Sequence, residues 1–317
     1  MSRFVKGRVV RLDAKVCHVD TGDGVHLAAP RGALFEQLDA QMKNPVAVGD
    51  WVYLDMEGDP VSLVEVLERE NYLGRTASSH DPREQVLVAN VDQLLVIASV
   101  AKPKFSSVRT DRILAACEWH QIPTALVLNK TDLARGEDVE AIRSTYEQIP
   151  LDVLEACATR GEGIEQIRER LRGKVTVMYG ASGVGKSTLL NALQPGLDLK
   201  VRKVSKYWDA GKHTTTFSHM IDLEFGAQVI DTPGIRVFRL HRVHHSELKG
   251  LFAEFARFEA DCRFPNCVHD HEPDCAVLAA LEAGALPPSR YASYLELLLE
   301  AIPDDPLGDE PVEAGPS

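Results

Sequence analysis

The chain has 317 residues, 44% hydrophobic and 26% charged, enough for about two packed domains at roughly 150 residues each and too apolar for a largely disordered chain. No apolar run approaches the roughly 20 residues that cross a bilayer, and no fixed-period repeat suggests a solenoid. Against 47 acidic residues stand 35 basic ones, a net charge of −12, which excludes a uniformly basic coat for nucleic acid but leaves room for local basic patches.

The N-terminus, Met1-Ser2-Arg3-Phe4-Val5-Lys6-Gly7, holds no apolar stretch of signal-peptide type, so a cytoplasmic protein is expected. Residues 7–12, 15–19, 25–28 and 51–54 are short β-rich runs, and Thr21-Gly22-Asp23-Gly24 is a hairpin turn. Five short strands within 1–72 predict a small barrel of the OB type. Arg3, Lys6, Arg8, Arg11 and Lys15 stand against one acid, Asp13. That stretch is either an RNA-facing surface or a solvated face.

From about residue 90 the pattern alternates. Leu94-Leu95-Val96-Ile97-Ala98 is a doubly buried strand, followed by a helix near 108–119, a strand at 124–128, a helix near 138–147 and a strand at 151–155. A helix at 163–171, closed by Gly173, leads to a strand at 175–179. This predicts an α/β domain with a mainly parallel sheet over 73–237. Strands then disappear. An amphipathic helix over 247–258 shows Leu248, Leu251, Phe252 and Phe255 on one face, and further helices near 276–283 and 289–301 complete a small helical domain, 238–302. Residues 303–317, with Asp304, Asp305, Asp309, Glu310 and Glu313 among prolines and glycines, read as a disordered acidic tail.

Gly180-Ala181-Ser182-Gly183-Val184-Gly185-Lys186-Ser187 fits G-x-x-x-x-G-K-[ST] between a predicted strand and a predicted helix. Its glycines let backbone N–H groups converge on phosphate oxygens at a helix N-terminus. Lys186 can reach the β/γ-phosphates, and the Ser187 hydroxyl can ligate Mg²⁺. Asp231-Thr232-Pro233-Gly234 ends the strand 228–230, where Asp231 can hold Mg²⁺ through water and the Gly234 N–H can sense the γ-phosphate. Between these motifs lies Gly211-Lys212-His213-Thr214-Thr215-Thr216. One of its threonines, Thr215 in preference to Thr214 or Thr216, can close over Mg²⁺ as a switch loop.

Asn129-Lys130-Thr131-Asp132 follows the strand 124–128. The Asp132 carboxylate can accept from guanine N1–H and the 2-amino group. Adenine offers neither, and the unpaired carboxylate would reject it by about 10⁴. Asn129 can brace the loop, the Lys130 stem can cover the base, and the Ala158 N–H can meet guanine O6. The guanine motifs precede the phosphate motif, which precedes Asp231–Gly234. In the common arrangement the phosphate motif comes first and the guanine motifs last, yet each motif here still ends a strand, so a circularly permuted GTPase sheet is expected.

Of six cysteines, Cys17, Cys117 and Cys157 lie in apolar patterns and read as core. Cys262-x4-Cys267-x-His269-x5-Cys275 offers three thiolates and an imidazole for a closed tetrahedral zinc site, with His271 a rival nitrogen ligand.

The barrel, the permuted order, the 211–216 run and the cysteine spacing together resemble the RsgA (YjeQ) family of ribosome small-subunit-dependent GTPases, over about residues 3–300. The resemblance implies a GTPase stimulated by the 30S subunit late in its maturation and contacting 16S rRNA through the flanking domains. It implies a monomer with one structural zinc and Mg²⁺ with GTP. It assigns nucleotide contacts to Asn129, Lys130, Asp132 and residues 180–188, adding Thr188, and zinc ligands to Cys262, Cys267, His269 and Cys275. Two departures stand out: Cys157 replaces the serine more usual in the guanine loop, and a long basic N-terminal extension is missing. Ile235 follows Gly234 where many GTPases carry a water-orienting glutamine, so unstimulated hydrolysis should be slow. His213 or the ribosomal particle would supply the missing group. Lys200, Arg202, Lys203, Lys206 and Lys212, with Arg236, Arg239 and Arg242, are further candidates to face phosphates. The competing readings are a nucleotide-gated rRNA-binding module in which hydrolysis is incidental, and a small-molecule P-loop enzyme or ATPase.

Overall fold

Strand β1 (Phe4–Leu12) buries Gly7 and Val9 and turns Phe4 and Lys6 outward, the period-two alternation of a half-buried strand. Gly7 is required there, because a Cβ would stand 2.5 Å from Val19 Cγ1. Strands β2 (Cys17–Asp20) and β3 (Val25–Pro30) form a hairpin across residues 21–24. A short helix α1 (Gly32–Glu36) leads towards β4 (Trp51–Asp55) and β5 (Ser62–Val66). The sheet order β1-β2-β3-β5-β4 closes through the β4–β1 pairing. The resulting five-stranded barrel has a core that includes Val9, Cys17, Val19, Val52, Leu54 and Leu63. The computed structural model describes residues 3–13, 16–36, 38–78, 80–197, 218–231 and 238–304.

A two-stranded sheet follows, β6 (Tyr72–Ser78) with β7 (Asp81–Ala89). The sequence reading placed no strands here, because Arg75, Glu84 and Gln85 interrupt the apolar alternation. The α/β part runs β8 (Gln93–Ser99), α2 (Ser107–Trp119), β9 (Thr124–Asn129), α3 (Gly136–Tyr146), β10 (Asp152–Ala156), α4 (Ile164–Leu171), β11 (Val175–Tyr179), α5 (Lys186–Leu193), β12 (His219–Leu223) and β13 (Ala227–Asp231). Its strand order is β10-β9-β8-β11-β13-β12. The first five strands in that order are mutually parallel and β12 is antiparallel. Apolar clusters cover both faces of this sheet, as a parallel sheet requires. The barrel joins it through an antiparallel bridge between Arg11 of β1 and His219 of β12.

The basic N-terminal stretch is largely consumed within the fold. Arg3 forms a two-pronged pair with Asp55, which also receives Arg31. Arg8 turns to the carbonyls of Asn90 (2.5 Å) and Gly49 (3.3 Å). Arg11 pairs with Asp13, which also contacts His18. Lys6 lies over the Trp51 ring at 4.9 Å, and Lys15 lies outside the described residues.

The chain divides into two compact units, Met1–His241 and Arg242–Ser317. In the second, the expected helix over 247–258 is broken. Helix α6 (His245–Gly250) gives way to 3₁₀ turns at Ala253–Arg257 and Glu259–Asp261. Phe252, Glu254 and Phe255 are all buried, and at 100° per residue one α-helical face cannot hold all three. The tighter turn lets Glu254 reach Arg290 (2.6 and 3.0 Å) while both phenylalanines pack on Tyr294. Helices α7 (Ala276–Glu282) and α8 (Pro288–Leu298) complete the unit.

Asp50 is fully buried, with Arg69 at 2.7 and 2.8 Å and the Ala47 N–H at 2.7 Å. Removing one partner of such a pair strands the other charge, so Asp50→Ala should cost about 3 kcal/mol or more in chemical denaturation. An unchanged unfolding midpoint would contradict this.

Candidate functional site

The parallel strands deliver four of the expected motif positions to one sheet edge. β9 ends at Asn129, β10 leads into Cys157-Ala158, β11 leads into Gly180, and β13 ends at the buried Asp231. Asn129, itself buried, donates from Nδ2 to the Val184 carbonyl at 2.9 Å, tying the base loop to the phosphate loop. Its Oδ1 receives the Ala158 N–H at 3.4 Å. Lys130 adopts φ +65° and donates from its ammonium to the Gly183 and Lys102 carbonyls, each at 2.5 Å. Its stem therefore runs from the base loop to the phosphate loop. The Thr131 hydroxyl donates to the Ala156 carbonyl at 3.3 Å, and the Asp132 carboxylate stands 3.2 Å from the Cys157 sulfur.

In the phosphate loop, Gly183 (φ +84°) and Gly185 (φ +105°) take a conformation that favours glycine. A Cβ on Gly180 would lie 2.4 Å from the Ile97 carbonyl oxygen, and one on Gly185 would lie 2.4 Å from Asn129 Nδ2. The loop can thus curl only because these positions carry no side chain. Lys186 opens α5 and donates to the Gly180 carbonyl at 2.6 Å. Burial lowers its pKa, and the Asp231 carboxylate acts against that shift. Ala181, Ser187 and Thr188 are half-buried, Ser182 is exposed and Val184 is buried. The chemistry on offer is a glycine-shaped loop with one lysine and one hydroxyl, linked through Asn129 to a neighbouring loop bearing a carboxylate. His213, Thr215 and Gly234, with Lys212, Ile235 and the basic residues 200–206, lie outside the described residues.

The sequence reading missed the loop after β8. The Lys102 carbonyl holds Lys130, and the Ser99 hydroxyl accepts the Lys102 N–H at 3.1 Å. The buried run 94–98 was the available signal, since every parallel strand ends at the ligand edge.

In the second unit, the ligand atoms of Cys262, Cys267, His269 and Cys275 all lie within 4.8 Å of one another. His269 Nδ1 stands 3.6 Å from Cys262 Sγ and 3.4 Å from Cys275 Sγ, and the two sulfurs are 3.9 Å apart. Bond lengths of about 2.3 Å to sulfur and 2.0 Å to nitrogen imply tetrahedral edges of roughly 3.5–3.8 Å, so the residues fit a four-coordinate metal ion. The rival His271 is exposed and pairs with Asp270. The backbone at His269 is held by its surroundings: Tyr291 donates to the His269 carbonyl at 2.8 Å and Tyr294 to that of Val268. Glu272 receives the N–H groups of Val268, Asp270 and His271.

A family model described as RsgA GTPase matches residues 66–241. A "small ribosomal subunit biogenesis GTPase RsgA 2" of Bacteroides thetaiotaomicron is 37% identical over 299 residues, covering 93% of this chain and 96% of that protein. The chain belongs to the RsgA GTPase family. The crystal structure of YjeQ from Thermotoga maritima matches with a TM-score of 0.71 at 32% identity, covering 94% of this chain and 98% of that one. YloQ, described as a circularly permuted GTPase, matches at 0.64 and 28% identity, covering 94% of each chain. The expected order of barrel, permuted GTPase sheet and helical cysteine-bearing unit is therefore that of this RsgA-family chain. Among the described residues, no helix is long and apolar enough to cross a membrane.

Gly185→Ala adds backbone strain and drives a methyl into the Asn129 amide. It should weaken GTP binding at least about tenfold while the far-ultraviolet circular dichroism stays that of the parent, as a nucleotide titration beside a spectrum would record.

Proposed function

We propose that this GTPase acts in small ribosomal subunit biogenesis. It binds the 30S particle through 16S rRNA late in maturation, and its hydrolysis of GTP to GDP is stimulated by 30S and coupled to release. It works as a cytoplasmic monomer. The division of labour follows the sequence: a barrel over 1–72, a GTPase over 73–237, a metal module over 238–302 and an acidic tail over 303–317. The observation that carries the reading is the Asn129–Val184 hydrogen bond, which welds the base motif to the phosphate motif despite their rearranged order.

Residues 180–188 cradle the phosphates with backbone N–H groups, and the Lys186 ammonium offsets phosphate charge. Magnesium, bound with the nucleotide, supplies further charge neutralisation, with Ser187 and Thr215 as protein ligands and Asp231 acting through water. The Gly234 N–H reads the γ-phosphate. Asp132 accepts from the guanine edge, and Ala158 exchanges its N–H contact with Asn129 Oδ1 for guanine O6. Ile235 can neither orient nor deprotonate water, so His213 or the ribosomal particle completes the hydrolytic site. Cys262, Cys267, His269 and Cys275 hold one structural zinc.

Turnover of the purified protein should be slow and should rise more than about tenfold with 30S subunits. GTP should be preferred over ATP, and Asp132→Ala should erase that preference. Fast turnover without 30S, or equal use of ATP, would contradict the reading. Elemental analysis should find one zinc per chain. Tyr294→Phe, which frees the Val268 carbonyl, should speed zinc loss to a chelator by about tenfold, against no change if the hydroxyl plays no part in holding the ligand loop.

A further inference from the structure

His269 turns one ring nitrogen to the cysteine cluster and the other away from it. Nδ1 stands 3.4 Å from Cys275 Sγ and 3.6 Å from Cys262 Sγ, so it is the nitrogen placed to bind a metal ion. A neutral imidazole that gives one nitrogen to a metal carries its proton on the other. That proton belongs on Nε2, which is buried and, among the described residues, has no hydrogen-bond partner. A buried donor left unmet is costly. Three groups bear on it. The Phe255 ring stands nearly perpendicular to the imidazole, with centroids 5.6 Å apart, and offers no oxygen. The Glu272 carboxylate already receives three backbone N–H groups. The third is Glu259, whose Oε2 lies 3.9 Å from Nε2.

Glu259 joins a fixed backbone to a movable carboxylate. It opens the 3₁₀ turn Glu259–Asp261 that leads into Cys262, and its carbonyl accepts the Cys262 N–H at 3.1 Å. Its main chain is thus tied to one member of the cluster while its side chain faces another. That side chain is 37% exposed, which leaves it room to rotate, and a shift of about 1 Å brings it to the range of a charge-assisted hydrogen bond. We propose that Glu259 is a positioning residue for the metal centre: once an ion takes Nδ1, its carboxylate accepts the Nε2–H of His269, holds the ring's orientation and slows the ion's loss. A carboxylate behind a ligating imidazole fixes the tautomer and makes the ligating nitrogen a better electron donor. The proposal rests on the reading of Cys262, Cys267, His269 and Cys275 as zinc ligands.

The test uses the full chain loaded with Zn²⁺ and reads the transfer of zinc to a chromogenic chelator. Glu259→Ala should speed that transfer about tenfold. Glu259→Gln keeps an amide oxygen that accepts the same proton and should stay within about threefold of the parent. A second readout follows the proton itself. With ¹⁵N-labelled histidine, the zinc-loaded parent should show a proton on His269 Nε2 that exchanges slowly with water. The glutamine variant should keep it, and in the alanine variant exchange should quicken at least about tenfold. A merely structural role for Glu259 would make glutamine as harmful as alanine and leave the Nε2 proton of the alanine variant as slow as before. Either result overturns the proposal, as does zinc loss from Glu259→Ala at the parental rate or a spectrum that places the proton on Nδ1. If the parent chain takes up no zinc at all, the metal reading itself falls and the positioning role with it. If the parent binds one zinc while all three chains release it alike, only the positioning role is lost.

Discussion

A parallel sheet places every strand's carboxyl end on one edge, whatever order the chain uses to visit the strands. This constraint makes the rearranged motif order harmless. β9, β10, β11 and β13 carry motif residues separated by up to about a hundred positions, and each delivers them to the same edge. The binding geometry depends on strand direction and neighbour order, and both survive a cut and rejoining of the chain elsewhere. What the permutation changes is what lies beyond each motif. Beyond Asp231 the described residues resume at Phe238, whose carbonyl accepts from Arg112 of α2 at 3.1 Å. The chain continues to Arg239 and Leu240, whose carbonyls accept from the backbone N–H and the hydroxyl of Thr76 in β6.

Close backbone approach is the second requirement, and glycine meets it. Gly180 and Gly185 let the phosphate loop pass within contact of β8 and of the Asn129 amide. Substituted residues would hold the loops apart by about the width of a methyl group and break the Asn129–Val184 link. Neither glycine touches a base, yet both govern the distance between the groups that would.

Legibility followed from how tightly chemistry restricts residue type. A phosphate cradle admits few residues at 180–187, a tetrahedral site admits few at 262–275, and both were readable. So were the doubly buried strands, whose unbroken apolar runs have no other use in a soluble fold. The β6–β7 hairpin was not, because Arg75 and Glu84 disguise an alternation that nonetheless buries Leu73, Val86 and Val88. The break in the 247–258 helix was hidden too. Its apolar spacing is helical, and only the inward Glu254, satisfied by Arg290 from 36 residues away, shows why the helix yields. The pairing of the basic N-terminal stretch was hidden as well. Charge counted along 1–15 ignores Asp55, which arrives from β4 and takes both Arg3 and Arg31. Local sequence reports which charges are present but not which are already paired across a barrel.

The ligand loop of the second unit shows why a metal ion suits it better than packing would. Between Asp261 and Ala276 the apolar residues other than cysteine are Phe264, Pro265, Val268 and Pro273, and Phe264 is partly exposed. Such a segment buries too little to offset the entropy of fixing its backbone. Its order comes instead from hydrogen bonds to Glu272, Tyr291 and Tyr294, and these fix His269 at φ +60°, a costly conformation for a side chain with a Cβ. Burial pushes the Cys267 and Cys275 thiols upward in pKa, so neutral thiols there would offer only weak contacts to one another and to the imidazole. A divalent cation held there would replace the protons of the three thiols and take the imidazole nitrogen as its fourth ligand. The conformation of His269 and the crowding of sulfur both fit a loop that could close around one ion.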